Sequence, residues 1–119
     1  MKLAISSNDG KFNSPFSARF ARCETFIFVD TKTDAWEART NPAAAARGGA
    51  GAQVVQFLAS EDVEATISGR YGPTAMTALT AAGIKAFIAD SGIPSELLHK
   101  LMGDELEQVT SATGESLHQ

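Results

Sequence analysis

The sequence predicts an α/β domain built on a mixed five-stranded sheet, in which a three-strand meander precedes two helix-linked parallel strands and helices pack against the sheet. Two short apolar runs near the N-terminus, rich in branched and aromatic residues, are typical of buried strands. Further along, strand-like runs alternate with segments of helical periodicity, and such segments join parallel strands by right-handed crossovers. A chain of 119 residues, 44% of them apolar, suits one domain with one core.

The first three strands are predicted at residues 3–5, 25–29 and 35–39. A polar loop, residues 6–22, separates the first two strands and is long for a hairpin. Long ordered loops in compact domains are often functional. The third strand contains charged residues, so we expect it to be half exposed and to lie at an edge of the sheet.

Two helices and a strand follow. Gly51, Val54, Val55 and Leu58 recur at i, i+3, i+4 and i+7, which predicts a helix over about residues 49–60. Residues 63–67 alternate between apolar and polar side chains and therefore predict the fourth strand. The next helix begins near Pro73, since proline suits a first helical turn, and Gly83 is a credible C-terminal cap.

The last predicted elements are a strand at residues 84–89 and a helix that ends at Gly103. The helix has an apolar stripe formed by Leu97, Leu98, Leu101 and Met102. The remaining segment resembles a frayed or weakly docked tail. We therefore divide the chain into one α/β domain, residues 1–103, and a C-terminal tail, residues 104–119.

Composition excludes several function classes. A net charge of −4 and a pI near 5.0 argue against a nucleic-acid-binding surface. No apolar run approaches the roughly 18 residues of a membrane-spanning helix and no signal region precedes the first strand, so we expect a soluble, cytoplasmic protein without a membrane partner. Cys23 is the only cysteine, which excludes an intramolecular disulfide and a metal site made of several protein thiolates. Any bound cluster must bring its own sulfides.

Arginines and glycines lie where ligands of open α/β sheets usually bind, beyond the carboxyl ends of strands. Some lie in the loop after the first strand, some in the turn after the fourth, and some at the start of the first helix. Helix N-termini offer backbone N–H groups to anions, and arginine adds a donor fork that is always charged. The natural ligand is therefore a polyanion. The candidate binding residues are Arg19, Arg22, Gly49, Gly51, Gly69, Arg70 and Gly72.

Each of these features also has a structural interpretation. Gly49 and Gly51 lack the third glycine of a dinucleotide fingerprint and the Gly-Lys-Ser/Thr ending of a phosphate loop. The turn from Gly69 to Pro73 is equally typical of a strand-turn-helix connection. Cys23 could bind a soft metal as a thiolate, although a lone cysteine among apolar residues is more often part of the core.

The order of the chain suggests no catalytic set, so we expect a protein that is not an enzyme. No Ser, His and Asp arrangement is apparent, and neither His99 nor His118 has a second ligand at metal-binding spacing. A nuclease that used Asp9 would need two or three further carboxylates around a divalent metal.

Residues 51–58, 67–73 and 79–85 resemble the dinitrogenase iron-molybdenum cofactor biosynthesis family, which includes NifX-type carriers and the C-terminal part of NifB proteins. The loop at residues 20–22 before the second strand is also similar to the family's loop, and the resemblance covers about residues 2–102. It implies a ribonuclease-H-like fold without nuclease activity, and binding of iron-molybdenum cofactor or its precursor. The size and single-domain form are similar to those of the orange proteins of sulfate-reducing bacteria, which would imply a non-covalently held molybdenum-copper sulfide cluster.

The sequence departs from the family at two positions. Many relatives carry His where this chain has Arg19 and Gly where it has Ala21, so direct histidine ligation is in doubt. Arg19 instead favours electrostatic capture of a cluster that keeps its own ligands. We therefore predict binding, carriage or storage of an anionic metal-sulfide cluster, with possible protein partners for its delivery. The alternative is a regulatory module that binds a protein partner and no metal.

Overall fold

The computed structural model describes residues 1–46 and 48–112, which form a six-stranded mixed sheet and three helices. The sheet has the strand order β3-β2-β1-β4-β5-β6. The strands are β1 (Lys2–Ser7), β2 (Thr25–Asp30), β3 (Trp36–Thr40), β4 (Ala65–Ser68), β5 (Lys85–Ile88) and β6 (Glu107–Val109), and the helices are α1 (Ala50–Ser60), α2 (Pro73–Ala82) and α3 (Pro94–Met102). Within the described ranges, no helix has the length and apolar character needed to cross a bilayer.

The pairing of the first five strands agrees with the sequence prediction. Strands β1, β2 and β3 form an antiparallel meander. Strand β4 pairs in parallel with β1, and β5 pairs in parallel with β4. The carboxyl ends of β1 and β4 therefore lie at the same end of the sheet, and the loops that follow these two strands lie close together.

The predicted number of five strands is wrong, because β6 adds an antiparallel sixth strand beside β5. Ala86 pairs with Val109, and Ile88 pairs with Glu107. This strand lies in the segment that the sequence analysis interpreted as a tail. It has three residues and only Val109 is partly buried, so no apolar alternation marks it in the sequence. Residues 113–119 of the same segment lie outside the described residues.

Alternation along the strands divides the core between the two faces of the sheet. Leu3 and Ile5 of β1 pack in one cluster with Leu97 and Leu101 of α3, whereas Ala4 packs in the other. That second cluster contains residues of α1 and α2, among them Val54, Val55, Leu58, Ala75, Met76 and Leu79. Both faces of the sheet are thus covered, which suits its parallel centre.

The start of α1 packs closely against the start of α2. A Cβ atom at Gly51 would lie 2.8 Å from the backbone nitrogen of Ala75 and 3.1 Å from its Cα atom. A side chain at position 51 would therefore push the helices apart. The contact keeps the N-termini of α1 and α2 side by side.

Buried serines fasten the long loop after β1 to the ends of β1 and β4. The Ser6 hydroxyl donates to the Ser17 carbonyl and lies 2.8 Å from the Ser68 hydroxyl. The Ser17 amide donates in return to the Ser6 carbonyl at 2.9 Å. All three residues are buried, so their polar groups are satisfied inside the protein and the loop is held in place.

Candidate functional site

Arg19 and Arg70 lie opposite each other where the chain continues beyond the ends of β1 and β4. They form a parallel bridge, and the Phe20 amide donates to the Arg70 carbonyl at 3.3 Å. Residues paired in this way present their side chains on the same face. Both arginines are exposed, so the bridge places two cationic side chains next to each other.

The residues that follow these arginines, Phe20 and Tyr71, are buried aromatic anchors. Their ring centroids are 4.9 Å apart. The Tyr71 hydroxyl donates to the Phe87 carbonyl at 2.8 Å and lies 3.0 Å from the Thr66 hydroxyl. Burial raises the pKa of Tyr71 above its ordinary value, so the phenol stays protonated. These anchors fix the backbone positions of Arg19 and Arg70, a role that the sequence analysis did not assign to them.

A groove of about 200 Å³ lies where the N-termini of α1 and α2 open side by side. Neither N-cap residue, Gly49 or Gly72, makes a side-chain capping bond, and neither helix has an acidic residue in its first turn. The amides of a first helical turn carry partial positive charge. The groove is lined by Ala21, Arg22, Gly49, Ala50, Gly51, Gly72, Pro73, Thr74 and Ala75. Among the described residues of this lining, Arg22 is the one charged side chain, so their net charge is positive although the protein is acidic overall.

The segment that carries Arg22 is held by contacts on both sides. The exposed Arg22 guanidinium donates through Nη1 to the Ala46 carbonyl. The buried Asn41 side chain donates through Nδ2 to the Ala21 carbonyl at 3.1 Å and to the Cys23 carbonyl at 2.9 Å. Asn41 thereby fixes the backbone on each side of Arg22, which positions the arginine at the groove.

The four candidate glycines are required by the fold to different degrees. Gly51 and Gly69 are needed for packing, since a Cβ atom at Gly69 would lie 2.8 Å from the Cβ atom of Ala18. Gly49 has a φ of 69°, which disfavours any residue with a side chain. Gly72 has a φ of −73° and nothing within 4 Å of the place a Cβ atom would occupy. The fold therefore does not require glycine at position 72, and the space in front of its backbone is open.

The structure places the seven predicted binding residues in two adjacent parts. Arg22, Gly49, Gly51 and Gly72 line the groove. Arg19, Gly69 and Arg70 lie outside this lining, in the bridge and the turn that leads into α2. Thr74 also lines the groove but was not among the predicted residues. Its position directly after a Gly-Pro helix start was the available signal.

Cys23, the predicted metal ligand, lies in the core with 2% of its surface exposed. Its Sγ atom is 3.4 Å from the Phe20 carbonyl oxygen, and burial raises the pKa of the thiol to about 12. The thiol is therefore protonated at neutral pH, whereas a metal ligand must be a thiolate. These surroundings favour the core interpretation. Across residues 1–46 and 48–112, no group of three or more His, Cys, Asp or Glu side chains could hold a metal ion.

The structure is that of a small α/β protein with a groove at two adjacent helix N-termini. The sequence match then identifies the family. The chain belongs to the dinitrogenase iron-molybdenum cofactor family, whose sequence model matches residues 1–104. Among curated proteins, none matches this sequence.

Solved structures of similar proteins agree with this assignment. The apo form of the orange protein from Desulfovibrio gigas superimposes with a TM-score of 0.90 at 25% identity, over 95% of this chain and 96% of that one. A putative NifB protein from Thermotoga is 37% identical, with a TM-score of 0.83 over 96% of this chain and 97% of that one. A putative dinitrogenase from Methanocaldococcus jannaschii has the same fold at 16% identity, with a TM-score of 0.70 over 93% of this chain and 96% of that one.

Proposed function

We propose that the protein binds an anionic metal-sulfide cluster non-covalently as cargo, and carries or stores it in the groove between the N-termini of α1 and α2. One observation carries this proposal. Two helix N-termini without side-chain caps open on the same groove, and Arg22 is the only charged side chain among the described residues that line it. Backbone amides and a guanidinium group are all hydrogen-bond donors, which suits a ligand whose surface consists of acceptors.

The donor set also determines how the cluster would be held. Since Cys23 is buried and protonated, and no suitable group of His, Cys, Asp and Glu exists among the described residues, the cluster keeps its own sulfide ligands. The protein then contributes hydrogen bonds and charge rather than metal-ligand bonds. The space in front of the Gly72 backbone is open, and Thr74 has the first free amide of α2 because Pro73 has none, so we expect the sulfides to approach the helix start here.

Arg19 and Arg70 form a second part of the proposed site. They are exposed and paired through the backbone, next to the turn that leads into Gly72 and α2. Two cations on the same face would attract a multiply charged anion toward the groove, and this long-range attraction would weaken with salt.

The identity of the cargo is inferred from the relatives. Similarity to the orange protein supports the molybdenum-copper sulfide cluster that the sequence resemblance implies, and we take this as the favoured cargo. Similarity to the NifB protein supports the alternative, iron-molybdenum cofactor or its precursor. In either case the protein is proposed to act in the cytoplasm as a carrier rather than as an enzyme and to pass the cluster to a protein partner. Its ribonuclease-H-like fold also stays a prediction.

The experiment that tests this proposal is cluster uptake by the purified apoprotein. The protein is mixed anaerobically with tetrathiomolybdate, with and without copper, and then desalted before metal analysis and a visible absorption spectrum. We expect retained molybdenum and copper with strong visible bands. Retention of iron and molybdenum from a cofactor donor would instead favour the nitrogenase-cofactor cargo.

Two single-charge variants make the test specific. Arg22→Ala removes the cation of the groove, whereas Lys32→Ala removes an exposed cation in the β2–β3 turn at the opposite end of the sheet. We expect retention to fall in Arg22→Ala and to be unchanged in Lys32→Ala. Equal retention in both variants would exclude the groove as the site. A wild-type protein that takes up no metal would favour the partner-binding module.

A further inference from the structure

Strand β3 forms an edge of the sheet and has a free side. Among the described strands, β3 pairs only with β2, and its residues other than Arg39 are exposed. The opposite edge strand, β6, has three residues, whereas β3 has five. A short edge strand offers little to pair with, but a longer exposed one is a template for another strand.

The hydrogen-bond register shows which groups of β3 are free. The Asp30 amide donates to the Ala35 carbonyl at 2.9 Å, and the Asn41 amide donates to the Glu24 carbonyl at 3.0 Å. Hydrogen-bonded pairs alternate along an antiparallel ladder. Residues 35, 37, 39 and 41 are therefore directed toward β2, and the backbone N–H and C=O groups of residues 36, 38 and 40 are directed toward the free edge.

The sequence of β3 is complementary to itself when a second copy runs antiparallel about Ala38. Ala38 then lies opposite Ala38 of the second copy, and Trp36 lies opposite Thr40. These are the residues whose backbone groups are free, so they form the hydrogen-bonded pairs. Glu37 lies opposite Arg39 in the intervening non-bonded pairs, where the Cα atoms are only about 4.5 Å apart. The dimer therefore contains two Glu37–Arg39 pairs, one on each side of the two-fold axis at Ala38.

We propose that β3 is a homodimer interface, in which two copies of this chain pair their β3 strands antiparallel about Ala38 and join the two sheets into one. The interface lies on the strand edge, so it does not depend on the proposed cargo. The charge pattern favours a second copy over an unrelated strand, because an antiparallel copy places its own Arg39 opposite Glu37 and its own Glu37 opposite Arg39.

The side chains around the edge fit this arrangement. The Arg39 guanidinium is held 3.1 Å from the Glu61 carboxylate and 3.7 Å from that of Glu37, so it is ordered before pairing. The Glu37 side chain is 60% exposed and has room for a second cation. On the other face, Trp36 is 45% exposed and stacks on Phe12 at 5.0 Å between ring centroids, which leaves an apolar surface beside the axis.

Charge reversal tests the proposal by analytical ultracentrifugation over a range of concentrations. The wild type is expected to form a dimer that dissociates on dilution. Glu37→Arg places cations opposite cations and Arg39→Glu places carboxylates opposite carboxylates, so each variant alone should dimerise roughly tenfold or more weakly. Mixing the two variants restores opposite charges at both pairs and should restore the dimer. Glu107→Arg, the same charge change on the opposite edge strand β6, should leave the wild-type equilibrium unchanged.

Two results would overturn the proposal. One is a wild type that sediments as a monomer up to millimolar concentration. The other is a mixture of Glu37→Arg and Arg39→Glu that associates no more strongly than either variant alone, with both variants shown to be folded by circular dichroism. Arg39 also contacts Glu61, so Arg39→Glu could fail to fold. In that case Glu37→Arg alone is the test, and it must still shift the protein toward monomer.

Discussion

Replacing Gly72 by alanine is expected to weaken cargo binding without weakening the fold. The backbone at Gly72, with φ −73° and ψ 169°, is open to alanine, and nothing lies within 4 Å of the added Cβ atom. The folded state therefore accepts the methyl group without strain. Alanine also restricts the unfolded chain, so the free energy of unfolding should be unchanged or higher by about 0.4–1 kcal/mol.

The effect on binding has the opposite sign. Gly72 lines the groove, so the added methyl group is expected to occupy space that the proposed anion needs when it approaches the start of α2. Loss of one hydrogen bond to a charged group costs about 1.5–3 kcal/mol. Since about 1.4 kcal/mol corresponds to a factor of ten, the dissociation constant should rise about tenfold or more.

The assay is a titration of apoprotein with thiomolybdate and copper, followed by visible absorbance, beside thermal unfolding of the same samples. Gly48→Ala is the matched control, because Gly48 also has nothing within 4 Å of an added Cβ atom but does not line the groove. Its affinity should equal that of the wild type. Wild-type affinity in a fully folded Gly72→Ala protein would refute the reasoning, as would an equal loss in Gly48→Ala.

Two further predictions concern stability and do not depend on the cargo. Gly51→Ala should lower the free energy of unfolding in urea by about 1–3 kcal/mol, because its Cβ atom would lie 2.8 Å from the Ala75 backbone nitrogen; unchanged stability would show that α1 can move away without cost. Cys23 has a pKa that burial raises from 9.0 to about 12, so its folded thiol binds a proton that the unfolded thiol releases above pH 9. Its contribution to stability is therefore complete below pH 9 and is lost as the pH rises toward 12, with a slope of up to about 1.4 kcal/mol per pH unit. Urea unfolding of the wild type and of Cys23→Ala between pH 8 and roughly pH 10.5 measures this contribution. A difference in the free energy of unfolding that stays constant with pH would contradict the prediction.

The first five strands and the three helices could be predicted from the sequence, because apolar residues recur where most of these elements are buried. A short apolar run marks β1, alternation of apolar and polar residues marks β4, and helical spacing marks α1. The sixth strand could not be predicted, since β6 has two exposed residues of three and is defined by its pairing with β5 rather than by an apolar pattern.

The candidate site could be predicted as a set of residues but not as an arrangement. Strand ends and helix starts indicate where anions bind, which is enough to select Arg22 and Gly72. Whether a glycine is required at a given position depends on contacts with residues that are distant in sequence. Gly51 is required by Ala75, twenty-four residues away in sequence, and Gly69 is required by Ala18, fifty-one residues away. Such contacts leave no local pattern in the sequence.

The fixed loop after β1 has a consequence for how a ligand would arrive and leave. The Ser6, Ser17 and Ser68 hydrogen bonds, together with the buried ring of Phe20, fix this loop within the fold itself. Binding would then order little additional chain, so most of the entropy loss is already included in folding and association can proceed in one step. For the same reason, the loop after β1 does not have to open for release. The lifetime of a complex would then depend on salt, which screens the attraction between protein and ligand, and on a recipient protein with stronger hydrogen-bond donors for the ligand.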